Sequence, residues 1–461
     1  MCSITVVHAV LVTATAWGAF AFGAVYPWAY WPLVASAILI GAAGLLLPGV
    51  VQWRHLGLSG VTLSLSAFLL ACAMQLVPLP WSTVRAISPA AQSVVGELDI
   101  NTRQGLDAFH PLSIAPERSL RGLIVVGSLA LLVVGGTRLF SITGVANTAA
   151  AIAIIGALLG LTGIIQRPLD TGKIYGFWSP LQAGASPFGP FVNRNHFAGW
   201  MLMGLPVTLG LLGSCISRDT RLARPDLRDR ILWFSSTNAT TAMLLLGAIG
   251  VMALSLIQTT SRSGISAASL AVVAVLLFFR RHLSRARRRA AVSTVVALIV
   301  IVVAWAGTSA VASRFASSSM SDLNGRLDIW EDTARIISLY PLAGTGLNTY
   351  AVATIFYQTL NPSLRYLQAH NDYLQLVSEG GLLLTLPAAT CIVVFIWTVR
   401  RRFVEETSRT AYWIRTGTVI GLIAIALQET VEFSLQMPGN AFLFAVLCAI
   451  SMHASASARK R

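Results

Sequence analysis

GVANTAAAIAIIGALLGLTGI, residues 144–164, decides the fold, because no charged side chain interrupts it from end to end. A helix rises about 1.5 Å per residue, so about 20 apolar residues cross the roughly 30 Å hydrocarbon layer of a bilayer. Comparable apolar runs lie at 5–24, 32–50, 60–79, 120–138, 197–215, 239–259, 264–280, 290–308, 381–399, 416–435 and 441–456. Together they predict an all-α integral membrane protein of about twelve transmembrane helices.

Composition agrees. The chain has 461 residues, 55% of them hydrophobic, and a mean hydropathy of +0.71. Charged residues make up 11%, against roughly 25% for a soluble domain. The net charge of +15 comes almost wholly from Arg, with Lys only at Lys173 and Lys460. These cations cluster between apolar runs, so they read as topology signals and contacts to membrane lipids, and nucleic-acid binding is not expected. Cys2, Cys72, Cys215, Cys391 and Cys448 lie in or beside apolar runs without a C-x-x-C pair and read as small hydrophobes. The first run lacks a basic lead-in and a cleavage site, so a retained span is expected.

Arg-rich connections at Arg218–Arg230, Arg280–Arg289 and Arg400–Arg415 fall on one side when the N-terminus is placed in the cytoplasm. The positive-inside rule then puts both termini in the cytoplasm and segments 80–118, 165–196 and 309–380 outside. The expected organisation is nine spans in 1–308, a large helical outer loop at 309–380, and three spans in 381–461. In the loop, Asn324 is a candidate N-cap, and Leu327, Trp330, Ala334 and Ile337 recur at helical spacing up to Pro341. A second helix is expected from Thr349 to Leu360.

Chemistry in such a chain concentrates in the few polar residues at the membrane face. Asn193-Arg194-Asn195-His196 precedes the sixth run; it can be a snorkelling helix cap or a binding cluster. Ser261-Arg262-Ser263-Gly264 is a short turn whose guanidinium can offer a planar fork to phosphate. His370, followed by Asn371, Asp372 and Tyr373, has the residue type for general-base work near neutral pH, with Asp372 able to orient the ring or cap a helix. Arg326 adds a cation in the large loop, and Glu429 and Glu432 share one helical face near the outer end of the eleventh run. His370 and Asp372 are therefore the catalytic candidates, and Arg194, Arg262 and Arg326 the candidates for binding an anionic ligand, which the resemblance described below implies is a diphosphate. Asn193, His196, Asn371, Tyr373, Glu429 and Glu432 are further substrate-binding candidates. No G-x-x-x-x-G-K-[ST], H-E-x-x-H or G-x-S-x-G motif is present. The outer clusters are cationic and lack a D-x-D pair, so an anionic ligand neutralised by Arg, with no metal and no cofactor, is expected.

The stretches FVNRNHFAG (191–199), SRSG (261–264), NGRLDIWEDTARIISLYPLAGTGLNTY (324–350), AHNDYLQLVSEGG (369–381) and FSLQMPG (433–439) resemble the O-antigen ligase and polymerase superfamily. The likeness runs from about 190 to 440, while earlier residues add only hydropathy. It implies a GT-C-like helical bundle in the bacterial inner membrane with its active site facing the periplasm. The implied reaction transfers a glycan from undecaprenyl diphosphate to an acceptor hydroxyl. The acceptor is either lipid A–core, as in ligases, or a second lipid-linked glycan, as in O-antigen and exopolysaccharide polymerases. An inverting, metal-independent glycosyltransferase is the leading expectation. A flippase for the same lipid-linked glycan is the alternative, although a transporter should carry polar residues near the bilayer midplane and paired broken helices.

Overall fold

In the computed structural model the described residues are 2–46, 59–169, 172–181, 184–218, 237–279, 319–360 and 365–455. Their helices in order are α1 (Cys2–Phe20), α2 (Pro27–Leu46), α3 (Ser59–Met74), α4 (Trp81–Ile87), α5 (Ala91–Leu98), α6 (Ile100–Arg103), α7 (Pro116–Thr143) and α8 (Ala146–Gln166). After these come α9 (Arg194–Arg218), α10 (Thr237–Gln258), α11 (Arg262–Phe279), α12 (Ser319–Leu339), α13 (Tyr350–Tyr357), α14 (Asp372–Glu405), α15 (Arg409–Gln428) and α16 (Pro438–Met452). A two-residue antiparallel ladder pairs β1 (Leu79–Pro80) with β2 (Phe109–His110).

Among the described residues, seven helices are long and apolar enough to cross a membrane: α2, α7, α8, α9, α10, α14 and α15. The shorter α1, α3 and α16 are apolar as well. The chain is thus a multi-pass membrane protein, with seven helices meeting the length criterion where about twelve spans are expected from hydropathy. The run expected at 290–308 and the Arg clusters at 219–230 and 280–289 lie outside the described residues.

Local sequence sets the ends. Pro116 and Pro438 sit in the first turns of α7 and α16, where a missing N–H costs nothing. The side chains of Asn371 and Ser408 cap α14 and α15. In a bilayer, helices have no hydrophobic drive toward each other, so close packing rests on small residues. Gly417 of α15 shows this, since a Cβ there would lie 2.1 Å from the Pro206 carbonyl oxygen of α9. The α9 N-terminus and the α15 C-terminus consequently meet at one end of the bundle, and both carry site residues.

The outer loop departs from its expected form. Helix α12 begins at Ser319, so Asn324 lies within the helix and not at its cap. Its buried face is Ile329, Asp332, Thr333, Ile336 and Tyr340, whereas Leu327 and Ala334 are exposed. Polar residues on the inner face displaced the apparent apolar stripe: Asp332 accepts hydrogen bonds from Thr359 Oγ1 (2.8 Å) and the Leu360 amide (3.2 Å), and Thr333 Oγ1 lies 2.7 Å from the Tyr350 hydroxyl. Helix α13 fits the expectation of a second helix, within a few residues. Segments 80–118 and 319–370 also form one satellite core, joining Trp81, Val84, Val94 and Ile114 to Ile336, Tyr340 and Tyr350.

That unit is bolted onto α14. Gln75 at the end of α3 donates to the carbonyls of Ala343 (2.7 Å) and Glu379 (2.9 Å) and accepts from the Leu347 amide (3.0 Å). Buried Glu379 accepts from the amides of Asn348 (2.7 Å) and Tyr350 (3.0 Å). The approach needs Gly344, at φ +67°, where a Cβ would sit 2.2 Å from the Glu379 carbonyl. Gly344→Ala should therefore cost about 2 kcal/mol or more. Gly247→Ala, with open space around it, should be neutral or stabilising. Thermal unfolding of the two variants in detergent checks this: equal melting temperatures would contradict the docking of the 340–350 segment on α14.

Candidate functional site

The site centres on a residue that the sequence ranked among the secondary candidates. Glu432, in the connection between α15 and α16, is 1% exposed. A carboxylate so removed from water requires cations and donors around it. It has them from three directions. Arg326 Nη2 of α12 lies 2.5 Å from Oε1, Asn195 Nδ2 of α9 donates to the same oxygen at 2.8 Å, and Ser263 Oγ of α11 does so at 3.3 Å. His370 Nδ1 faces Oε2 at 3.9 Å, an ion-pair distance longer than a hydrogen bond. Burial pushes the Glu432 carboxyl up, but His370, Arg326 and His196 outweigh it and hold it below the usual carboxylate range.

Four separate segments thus meet at one anion, and the expected candidates fall around it. Arg194 is the first residue of α9, and its Nη1 reaches Thr260 Oγ1 at 3.5 Å, in the turn that leads to Arg262. Arg194, Arg262 and Arg326 are all half-buried. Arg326 is paired with Glu432, a partner that the sequence did not indicate. His196 is buried, with its ring 4.6 Å from that of Phe433. The His370 ring lies 4.7 Å from the same Phe433 ring, also edge-on, so both imidazoles pack against one phenyl ring.

The sequence neighbours of His370 serve the start of α14 and its neighbours rather than the imidazole ring. The Asn371 carboxamide accepts from the amides of Tyr373 (3.1 Å) and Leu374 (3.0 Å) as a helix cap. The Tyr373 hydroxyl donates to the Ala426 carbonyl (2.8 Å), tying α14 to α15. Asp372 accepts from Gln436 Nε2 at 2.6 Å, and its amide donates to the Glu429 carbonyl at 3.1 Å. Asn193 is likewise engaged as a cap, its side chain accepting from the Asn195 amide at 2.8 Å. His370 itself holds φ +50°, in the left-handed region that non-Gly residues adopt uncommonly, His among the more frequent of them.

Glu429 stands beside this cluster, 1% exposed. Burial, followed by the adjacent Asp372 carboxyl, raises its carboxyl well above the usual range. Asn195, Ser263, Phe433 and Gln436 complete the site and were not among the expected ligands. All four lie in the quoted motif stretches, so the signal was present without a spacing rule that could single them out. Among the described residues, no group of three or more His, Cys, Asp or Glu side chains is arranged to hold a metal ion.

The arrangement offers guanidinium groups for an oxyanion, and an imidazole whose Nδ1 faces a carboxylate, leaving Nε2 able to take a proton. Residues 247–389 match the family model described as O-Antigen ligase, which supports placing the chain in the O-antigen ligase and polymerase superfamily. No curated protein matches the chain. The matched stretch contains Arg262, Ser263, Arg326, His370 and Asp372, whereas Asn195, His196 and Glu432 join them only through the fold.

Because Arg326 and Glu432 share one pair, their substitutions should not add. Arg326→Ala and Glu432→Ala should each lower the melting temperature, and the double variant should fall short of the sum, with a coupling of about 1–2 kcal/mol. Strict additivity in that cycle would mean the pair does not form.

Proposed function

We propose, for a chain whose residues 247–389 carry an O-antigen ligase domain, a membrane glycosyltransferase. It moves a glycan from undecaprenyl diphosphate to an acceptor hydroxyl on the periplasmic face. The observation that carries the reading is the gathering of Arg326, Asn195, Ser263 and His370 around buried Glu432 at one end of the bundle. About twelve spans, a GT-C-like fold, cytoplasmic termini and an inner-membrane location belong to the same proposal. The acceptor is lipid A–core or a second lipid-linked glycan.

The donor carries a diphosphate held at the membrane surface by its lipid. Arg194 and Arg262 bind that group, and Arg326, oriented by Glu432, adds a third guanidinium. The acceptor hydroxyl attacks the anomeric carbon from the face opposite the diphosphate, so the configuration inverts. Its proton passes to His370 Nε2, and the bonding electrons leave with the diphosphate oxygen. Negative charge grows on the leaving group as the bond breaks, and preorganised guanidinium groups in a partly dry site stabilise it most at that moment. The cations supply this charge directly, so the reading needs no metal. Glu432 keeps Nδ1 protonated and the ring oriented, as a carboxylate does for a catalytic imidazole. The satellite core over this end restricts water, which would otherwise compete with the acceptor.

Reconstitution with lipid-linked glycan tests the proposal, since new glycosidic bonds mean an enzyme and donor movement without them means a transporter. His370→Ala should still bind donor but lose about 10²–10⁴-fold in rate. Arg262→Lys keeps the charge without the fork and should also lose most activity, while Arg194→Ala and Arg262→Ala should each cost on the order of 2–4 kcal/mol in the transition state. A folded His370→Ala protein with turnover near that of the parent would remove His370 from the base role.

A further inference from the structure

Glu429 and Glu432 lie three residues apart, equally buried, in opposite electrostatic settings. Glu432 has a guanidinium, an amide and a hydroxyl on one oxygen. No described cation pairs with Glu429, and neither of its carboxylate oxygens accepts a well-aligned hydrogen bond. The Leu435 amide beside it favours the ionised form but is outweighed by burial and by Asp372. Two carboxyl groups in contact away from water cannot both carry charge, and the one without donors keeps the proton.

We propose that Glu429 is a neutral carboxylic acid that donates a hydrogen bond to the Asp372 carboxylate. This shared proton positions His370. Asp372 is the first residue of α14, two after His370, and its amide already donates to the Glu429 carbonyl at 3.1 Å. The proton adds a side-chain link parallel to that backbone link. It fastens the start of α14 to the turn that carries Glu432, so the imidazole and the carboxylate that faces it are held by one clamp. Gln436 closes the far side, donating to Asp372 at 2.6 Å while accepting from Gln375 at 3.2 Å. The left-handed backbone at His370 gives the clamp something to hold, because that conformation relaxes when its neighbours let go.

The charged and titratable groups around Glu429 are few. Helix α14 contributes Asp372 and Tyr373, whose hydroxyl is engaged with the Ala426 carbonyl. The turn itself contributes Glu432, paired with Arg326 of α12 and facing His370, with His196 of α9 beyond. Loss of the shared proton would place a second buried negative charge beside Asp372 with no cation to receive it. Activity should therefore decline on the alkaline side as Glu429 ionises. Glu429 acts through His370 and is a positioning residue.

The role in turnover rests on the glycosyl-transfer reading, but the proton itself can be observed without turnover. Infrared spectra of the purified, lipid-embedded protein at neutral pH should show a buried carboxylic-acid C=O band that disappears in Glu429→Gln. Glu429→Gln keeps a donor toward Asp372, so it should fold like the parent, retain most transfer activity and lack the alkaline decline. Glu429→Ala removes the link and should lose at least about tenfold in rate with donor binding preserved, since small misplacements of a catalytic group cost up to about 10²-fold. A spectrum unchanged in Glu429→Gln, or a Glu429→Gln protein as inactive as Glu429→Ala, would overturn the proposal. If the parent transfers no glycan, the functional reading fails on its own, and the infrared band alone decides whether Glu429 is protonated.

Discussion

One carboxylate placed out of water governs this end of the molecule. An isolated ion of this kind is too costly to leave uncompensated, so Glu432 brings a guanidinium from α12, an amide from α9, a hydroxyl from α11 and an imidazole from the start of α14 to a single point. Helix packing brings these elements close, but close packing is not directional. The hydrogen-bonding needs of the anion are, and they convert a bundle end into a site with fixed angles. The same demand explains why half-buried Arg326 is ordered rather than snorkelling freely into the head groups.

The bundle was legible because membrane helices announce themselves by length. The long apolar helices α2, α7, α8, α9 and α10 fall on expected apolar runs, since each must satisfy its own backbone within the hydrocarbon. By contrast, α14 starts nine residues before its run, and α15 ends at Gln428, seven before the end of its run, which leaves Glu429 and Glu432 in a connection and not on a helical face. The outer loop was less legible. Its main helix buries Asp332 and Thr333 and exposes Leu327 and Ala334, the reverse of what an apolar stripe suggests, because the interior there is partly hydrogen-bonded. The union of segment 80–118 with the third outer segment could not be read at all. It depends on contacts such as Trp81 and Val84 with the cluster around Tyr340 and Tyr350, far apart in sequence.

The site divides in the same way. Arg194, Arg262, Arg326 and His370 stood out because cations and imidazoles are scarce in an apolar chain. Their partners did not. His370 has three polar neighbours in sequence, and the natural reading gives one of them the ring. The fold instead assigns Asn371 to a cap, Tyr373 to a helix tie and Asp372 to Gln436, and brings Glu432 in from the far side. Proximity along the chain is a poor guide at a helix start, where backbone amides claim short polar side chains first. Phe433 is the clearest omission: an aromatic ring in an apolar chain carries no signal, yet here two imidazoles pack edge-on against it.

The position of Glu432 in the chain has a consequence for biosynthesis. Ribosomes release the cations of α9, α11 and α12 and the imidazole before α14 well ahead of the α15–α16 connection. Until that connection emerges, these groups are present without the anion that gathers them. A nascent or truncated chain ending at α15 therefore lacks the carboxylate on which these donors converge, however completely its helices have inserted. The convergence of the four elements on one anion is thus completed in one late step of synthesis.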